Sequence, residues 1–260
     1  MDQPPTVFRS WMSGRGRARS RGWRNLRPLP WGSRMTEHLV FTLVANLAAN
    51  GDLAGHERRG TLTWPARSAI LGLLAAAKGI RRDDAPGLAA LEPLRVAVAV
   101  HDIGQPLRDY HTVQTVPTAA ARRPDSHAVA LLQAGRAVNT TLTQRDYRCG
   151  VVYSVAVWGL DMAPLRDALL RPVFTLYLGR KSCPLSAPPA PRLIDAPDAA
   201  TALASAQMPR FRPVPPPLAL YSDAPSDHAR IERRNDVALD RQLWHFTSRE
   251  VHVTTFAEDA

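Results

Sequence analysis

The runs RVAVAVH at residues 95–101 and GVVYSVAVW at residues 150–158 decide the fold. Both are rich in β-branched and aromatic residues and read as β-strands, as does HLVFTLVAN at residues 38–46. Between the first and second strands, residues 65–78 place Ile70, Leu73, Leu74 and Ala77 on one helical face. Thr63 is the expected start cap of that helix and Gly79 its left-handed stop. After the third strand, residues 164–170 read as a short helix. FTLYL at residues 174–178 reads as a final strand leading into GRKSCP. The order is strand, helix, strand, long insertion, strand, helix, strand. This is the split βαβ order of an α+β, ferredoxin-like (RRM-like) domain.

The insertion spans residues 104–148 and carries Arg108, Arg122, Arg123, Arg136, Arg145 and Arg148. A structureless stretch of that length is unusual inside a compact domain, so it is expected to have local structure or to be ordered by a partner. Between Pro184 and Pro225 lie eleven of the 23 prolines, which predicts an extended, irregular segment rather than a helical one. The end of the chain, WHFTSREVHVTTF at residues 244–256, again reads as β-structure. Three regions follow: residues 1–34, a domain over residues 35–183 that includes the insertion, and a Pro-rich, β-containing region over residues 184–260. There is no internal repeat.

With 260 residues and 45% hydrophobic content the chain is long enough for one or two real cores. Its 22% charged residues are ordinary globular usage, which argues against collagen-like, wholly disordered and disulfide-scaffold classes. Cys149 and Cys183 lack a CxxC spacing, so a cysteine zinc site is not expected and a reducing compartment is. No apolar run approaches the roughly 20 residues of a membrane span. A cytoplasmic protein is the natural expectation.

The formal charge is +10, and 31 of the 33 basic side chains are Arg, only Lys78 and Lys181 being Lys. Arginine grips phosphate bidentately and stacks on bases, so the bias suits nucleic-acid binding; GC-rich coding would produce the same bias. Residues 1–34 hold eight Arg against Asp2 alone and show no sustained apolar period. That stretch is expected to be a disordered tail, or to precede a true start at Met35.

No GxSxG, P-loop, GxGxxG or HExxH occurs, and no metal or cofactor is expected. His56 in HERRG and His111 in RDYHT are the histidines placed to act on RNA as acid or base, although a loop His among Arg more often hydrogen-bonds or stacks. Asp83 and Asp84 read as a solvated helix exit. More informative is Arg interleaved with aromatic, Thr and Gly positions in HERRGTLTWPARS, RDYHT and YLGRKSCP. Arg supplies phosphate contacts, Thr and Ser hydroxyls, and Tyr or His a stacking surface for unpaired bases.

The run RRGTLTWPARSAILGLLAAAKGIRRDD at residues 58–84, then RDYHT at 108–112, YLGRKSCP at 177–184 and FTSRE at 246–250, together resemble the type I-E branch of the Cas-five family of CRISPR-associated proteins. The resemblance covers about residues 35–256. It implies a non-catalytic RNA-binding subunit of Cascade, the CRISPR RNA-guided surveillance complex, with a ferredoxin-like domain and a protruding thumb. Such a subunit grips the 5′ handle of CRISPR RNA beside the repeated backbone subunit and the large PAM-recognising subunit, and meets target DNA only indirectly. Carried onto this chain, the insertion is the thumb, with Arg108, Tyr110 and His111 at its start and Arg145, Tyr147 and Arg148 near its end. His56, Arg58 and Arg59, leading to Arg67 and Ser68 at the helix start, resemble a handle-binding surface, and Arg180 and Lys181 add a phosphate contact. The helix N-terminus there is itself a phosphate-favouring feature. The segment LVANLAANGDLAG departs from the Gln-Ser-Trp-Gly-like turn of relatives, and the family offers no account of residues 1–34. An enzymatic alternative is a metal-independent endoribonuclease that cuts CRISPR repeat RNA, as a related subtype does, with Lys181 and Tyr110, His111 or Tyr177 as its groups.

Overall fold

The computed structural model describes residues 35–52, 57–226, 229–240 and 245–256. The first half contains β1 (Thr36–Ala48), β2 (Arg58–Arg59), α1 (Arg67–Lys78), α2 (Ala85–Ala89), β3 (Arg95–Asp102), β4 (Gln105–Thr115) and α3 (His127–Ala134). The second contains β5 (Asn139–Trp158), α4 (Ala163–Leu170), β6 (Arg192–Ala196), α5 (Ala199–Leu203), β7 (Ala219–Ser222), β8 (Arg230–Asp240) and β9 (His245–Thr255). One sheet runs β6-β1-β5-β3-β7-β9-β8, antiparallel at every step.

Both faces of the central strands are covered, which is why their sequences are continuous apolar runs instead of alternating ones. Leu39, Phe41 and Leu43 of β1 and Val151, Tyr153, Val155 and Val157 of β5 face α1 and α4, where Ile70, Leu74, Leu165 and Leu169 are buried. On the opposite face Val40, Ala97, Ala99 and Ala156 meet Ala199, Ala202 and Leu203 of α5. Small residues on that face let a helix of five residues lie close to the sheet. A buried polar link crosses the first face. Asn50 Nδ2 donates to Tyr153 Oη at 3.0 Å and Tyr153 Oη donates to the Thr63 carbonyl at 3.0 Å.

β5 is 20 residues long, and only its C-terminal part lies in the main sheet. Its N-terminal part pairs with β4 from Gln105↔Cys149 to Thr115↔Asn139, an antiparallel arm carrying α3 near its tip. At the root Gly104 has φ +67°, and a Cβ there would lie 2.4 Å from the Cys149 carbonyl oxygen, so the turn needs glycine. Arg212 pins the root from the Pro-rich segment, donating to Gly150 O at 3.0 Å and to Asp102 Oδ2 at 2.5 Å.

The C-terminal hairpin is tied on by buried charge. Arg249 of β9 binds both Asp236 oxygens at 2.6 and 2.9 Å and also Asp223. Asp223 in turn accepts from the Val96 amide at 2.8 Å. Asp236 Oδ2 accepts from the Arg67 amide at 3.1 Å and thereby caps α1 from 169 residues away. Burial raises the Asp223 carboxyl above its ordinary pKa, and Arg249 opposes the shift.

Three expectations change. Residues 174–178 form no strand, and a single bridge joins Tyr177 to Pro184. The reason is that the Val173 and Phe174 amides donate to the Ala77 and Ala76 carbonyls, closing the C-terminus of α1 instead of extending a ladder. β6 takes the edge beside β1 instead. Thr63 does not cap α1; Ala66 holds that position and Asp236 supplies the acceptor. The Pro-dense region is not wholly irregular, since it contributes β6, β7 and α5 to the sheet and its cover. The Gly79 stop is present with φ 77°. Residues 1–34 and His56 lie outside the described residues. Among the described residues no helix is long and apolar enough to cross a membrane.

Two outcomes are expected. Arg249→Met leaves Asp223 and Asp236 facing each other inside the fold and should lower unfolding free energy by about 3–5 kcal/mol, measured by urea denaturation; a loss under about 1 kcal/mol contradicts the clasp. His101 is buried, with Nδ1 3.0 Å from Pro215 O and Nε2 3.0 Å from Ser154 Oγ. Pro215 O can only accept, so Nδ1 carries the proton and Nε2 accepts from the serine. Burial lowers the His101 pKa, as it does that of His38. The stability this gives is complete above the unfolded value of about 6.5 and is lost as pH falls from there toward the lower folded value. Melting temperature should therefore drop between pH 8 and 5.5, and less steeply in His101→Gln; an unchanged slope in the variant rules His101 out as a source.

Candidate nucleic-acid interface

β2 adds a short parallel strand to the arm, pairing Arg58 with Gln144 and Arg59 with Arg145. With β4 on the other side of β5, three strands carry most of the arginines and aromatics of interest. Side chains alternate across a sheet, so the register divides them into two faces. One face presents Arg58, Gln144, Asp146, Arg148, Arg108 and Tyr110; the other presents Arg59, Arg145, Tyr147, Asp109 and His111.

The first face is built around Asp146. Arg58 donates to Asp146 Oδ2 through Nε at 2.9 Å and Nη2 at 2.8 Å, and Arg108 donates to Oδ1 through Nε at 2.7 Å. The Arg108 bond, supported by Arg58, holds the Asp146 carboxyl below the usual carboxylate range against the opposing effect of desolvation. The carboxylate is largely covered, with 14% of its side chain exposed, whereas the Arg58 and Arg108 side chains are 61% and 51% exposed. Tyr110 stands beside them, 57% exposed, as a free aromatic face. Arg148, at the arm root, is half-buried, and its Nε has no hydrogen-bond partner.

On the second face Tyr147 is buried, and the Arg180 guanidinium lies over its ring, 4.6 Å from the centroid, in cation–π geometry. The loop that delivers Arg180 is fixed by close packing. Gly179 has φ +83°, and a Cβ there would sit 1.7 Å from Ala49 O. The Ala49 amide donates to Leu178 O at 3.0 Å, the Leu178 amide to Cys183 O at 2.8 Å, and the Cys183 amide to Arg180 O at 2.8 Å. Glycine and the tight turn in GRKSCP are thus explained by this packing. Exposed His111 lies with Nδ1 3.0 Å from Asp109 Oδ2 on the same face as Arg145.

Three of the sequence-derived residues sit elsewhere. Arg67 is buried, and its guanidinium donates to Glu92 Oε2 at 2.8 Å and Leu94 O at 3.1 Å, which braces α1 against the loop before β3. Ser68 is half-buried in the first turn of α1. The α1 N-terminus, expected to favour phosphate, already holds the Asp236 carboxylate. Lys181 is exposed and lines a groove of about 910 Å³ along α1 with Arg81, Arg82, Phe174 and Tyr177. Sequence reasoning does not single out Asp146, Arg81 or Arg82 as site residues. Asp146 is recognisable only once the hairpin register sets it opposite Arg108.

Comparison with known proteins places the chain in a family. The family model described as CRISPR-associated protein (Cas_Cas5) matches residues 38–252. The CRISPR system Cascade subunit CasD of Escherichia coli strain K12 is 31% identical over 235 residues, covering 84% of this chain and 96% of that protein. A chain from a solved CRISPR RNA-guided surveillance complex aligns with a TM-score of 0.61 and 27% identity, over 84% of this chain and 90% of its own. A crystal structure of a Cas protein shares the fold, with a TM-score of 0.53 and 24% identity over 84% and 94% of the two chains. The exposed arginine-bearing arm lies wholly within the matched residues, and the chain belongs to the Cas5 family of CRISPR-associated proteins.

Proposed function

We propose that the chain is a non-catalytic RNA-binding subunit of a type I-E Cascade complex in the cytoplasm, gripping the 5′ handle of CRISPR RNA and helping to assemble the complex for antiviral defence. The observation that carries this reading is the arm itself. Arginines and an exposed tyrosine project from an antiparallel hairpin, in a chain similar to CasD along 96% of that protein's length. In this reading the order β6-β1-β5-β3, with α1 and α4 on one face, is the ferredoxin-like core and the β4–β5 arm is the thumb. The repeated backbone subunit and the large PAM-recognising subunit are its neighbours.

RNA is held through its backbone and through unstacked bases. Exposed guanidinium groups on both faces of the arm meet phosphates, releasing counterions and making affinity salt-dependent. Tyr110 offers a platform for one unpaired base. Sequence in the target is then read by base pairing with the guide, and the protein fixes shape and position. The nuclease alternative finds its groups divided: Lys181 and Tyr177 share the groove along α1, away from Tyr110 and His111 on the arm. Tyr110 and His111 themselves point to opposite faces of the arm.

The test uses the full chain and an end-labelled RNA carrying the repeat-derived handle, in EDTA, on native and denaturing gels. A retarded, intact RNA is expected. Arg58→Ala with Arg59→Ala should weaken binding at least tenfold, with unchanged circular dichroism. The slope of log affinity against log salt should fall by about 0.7 for each phosphate that the variant no longer neutralises. Undiminished RNA retention by that variant contradicts the assigned surface. Cleavage at one position contradicts the non-catalytic reading.

A further inference from the structure

Asp146 is an acidic residue set in the middle of a surface read as binding a polyanion. By charge alone it is in the wrong place, since it cancels one of the two arginine charges beside it and repels phosphate. Its geometry suggests another role. Arg58 comes from a two-residue strand and Arg108 from the opposite edge of the arm, and β5 lies between them. Nothing but the Asp146 carboxylate bonds both side chains among the described residues. Each carboxylate oxygen serves a different arginine. Arg58 spends its Nε and Nη2 edge on Oδ2, and Arg108 spends only Nε on Oδ1. Nη1 of Arg58 and both terminal nitrogens of Arg108 thus make no bond to Asp146. Both side chains are more than half exposed, while their common anchor is mostly covered.

An exposed arginine has many rotamers, and ordering it on a ligand costs affinity that a side chain already held does not lose. We propose that Asp146 is a positioning residue that holds Arg58 and Arg108 together as one preorganised grip for a backbone phosphate of single-stranded RNA, with Tyr110 on the same face to receive the adjoining base. The inference rests on the RNA-binding reading above. It adds that a negative side chain improves RNA affinity, the reverse of what its charge implies.

The opposite signs make the test direct. Asp146→Asn keeps the size of the side chain, removes the repulsive charge and leaves one acceptor oxygen, so the two arginines can no longer share it symmetrically. Binding of the labelled handle RNA by the full chain is measured for wild type, Asp146→Asn, Arg58→Ala with Arg108→Ala, and the triple variant. Asp146→Asn is expected to weaken binding about tenfold, as the loss of preorganisation in two long side chains implies. In the chain lacking both arginines the same substitution should change affinity less than twofold, and Asp146→Glu should restore part of the loss. Equal or tighter binding by Asp146→Asn overturns the proposal and leaves the RNA-binding reading standing. So does an equal weakening with and without the arginines, which would mark a general loosening of the arm. If the wild-type chain retains no handle RNA, both readings fall together.

Discussion

The continuity of β5 is the constraint on which the rest depends. Residues 151–157 of that strand sit at the centre of the sheet, flanked by β1 and β3 and covered by helices on both faces. Residues 139–149 of the same strand form one side of the exposed arm. A protruding hairpin is only marginally stable alone. Here its register is inherited from the core, because sliding β5 by one residue would turn Val151, Tyr153 and Val155 out of their cluster. The placement of Asp146 opposite Arg108, and of Tyr147 under Arg180, is therefore set by burial some distance away.

Three other contacts transmit that order to the site. β2 pairs with the arm where it leaves the sheet, so the Arg58 and Arg59 backbone is held even though it lies in a long connection. The Asn50–Tyr153 link holds the return of that connection at Leu62 and Thr63. Arg212 and Gly104 fix the root, so the arm leaves the sheet in one direction. The buried Arg249 clasp serves another end, fastening the C-terminal hairpin and α1 to the sheet. Within FTSRE the arginine explains itself structurally and needs no RNA contact.

The strands at residues 38–46, 95–101 and 150–158 were legible because both their faces are buried and their composition says so. α1 was legible through its apolar spacing and Gly79. β8, whose sequence RIERRNDVALD is dominated by charges, gave no such signal, since among the described residues it is an edge strand, paired with β9 and held by ion pairs. α5 was hidden in a Pro-rich context, and its cap is Asp198, whose side chain accepts from the Thr201 amide. Residues 174–178 had the composition of a strand, but the Val173 and Phe174 amides are taken up by the C-terminus of α1 and β6 occupies the edge beside β1. At the site, Arg58, Arg108, Tyr110 and Arg145 were legible as types in a pattern. The distinction between them and buried Arg67 was not, because it depends on Glu92 and the Leu94 carbonyl, which come to Arg67 only in the fold.

The central claim is that the arm and its bracing strand form the RNA-contacting surface. Ultraviolet cross-linking of the full chain to handle RNA, with the modified peptides mapped by mass spectrometry, tests it most directly. Cross-links are expected within residues 57–59, 105–115 and 139–148 and in the loop at residues 177–183. Cross-links confined to α5, the β8–β9 hairpin or the Pro-rich segment would contradict the account.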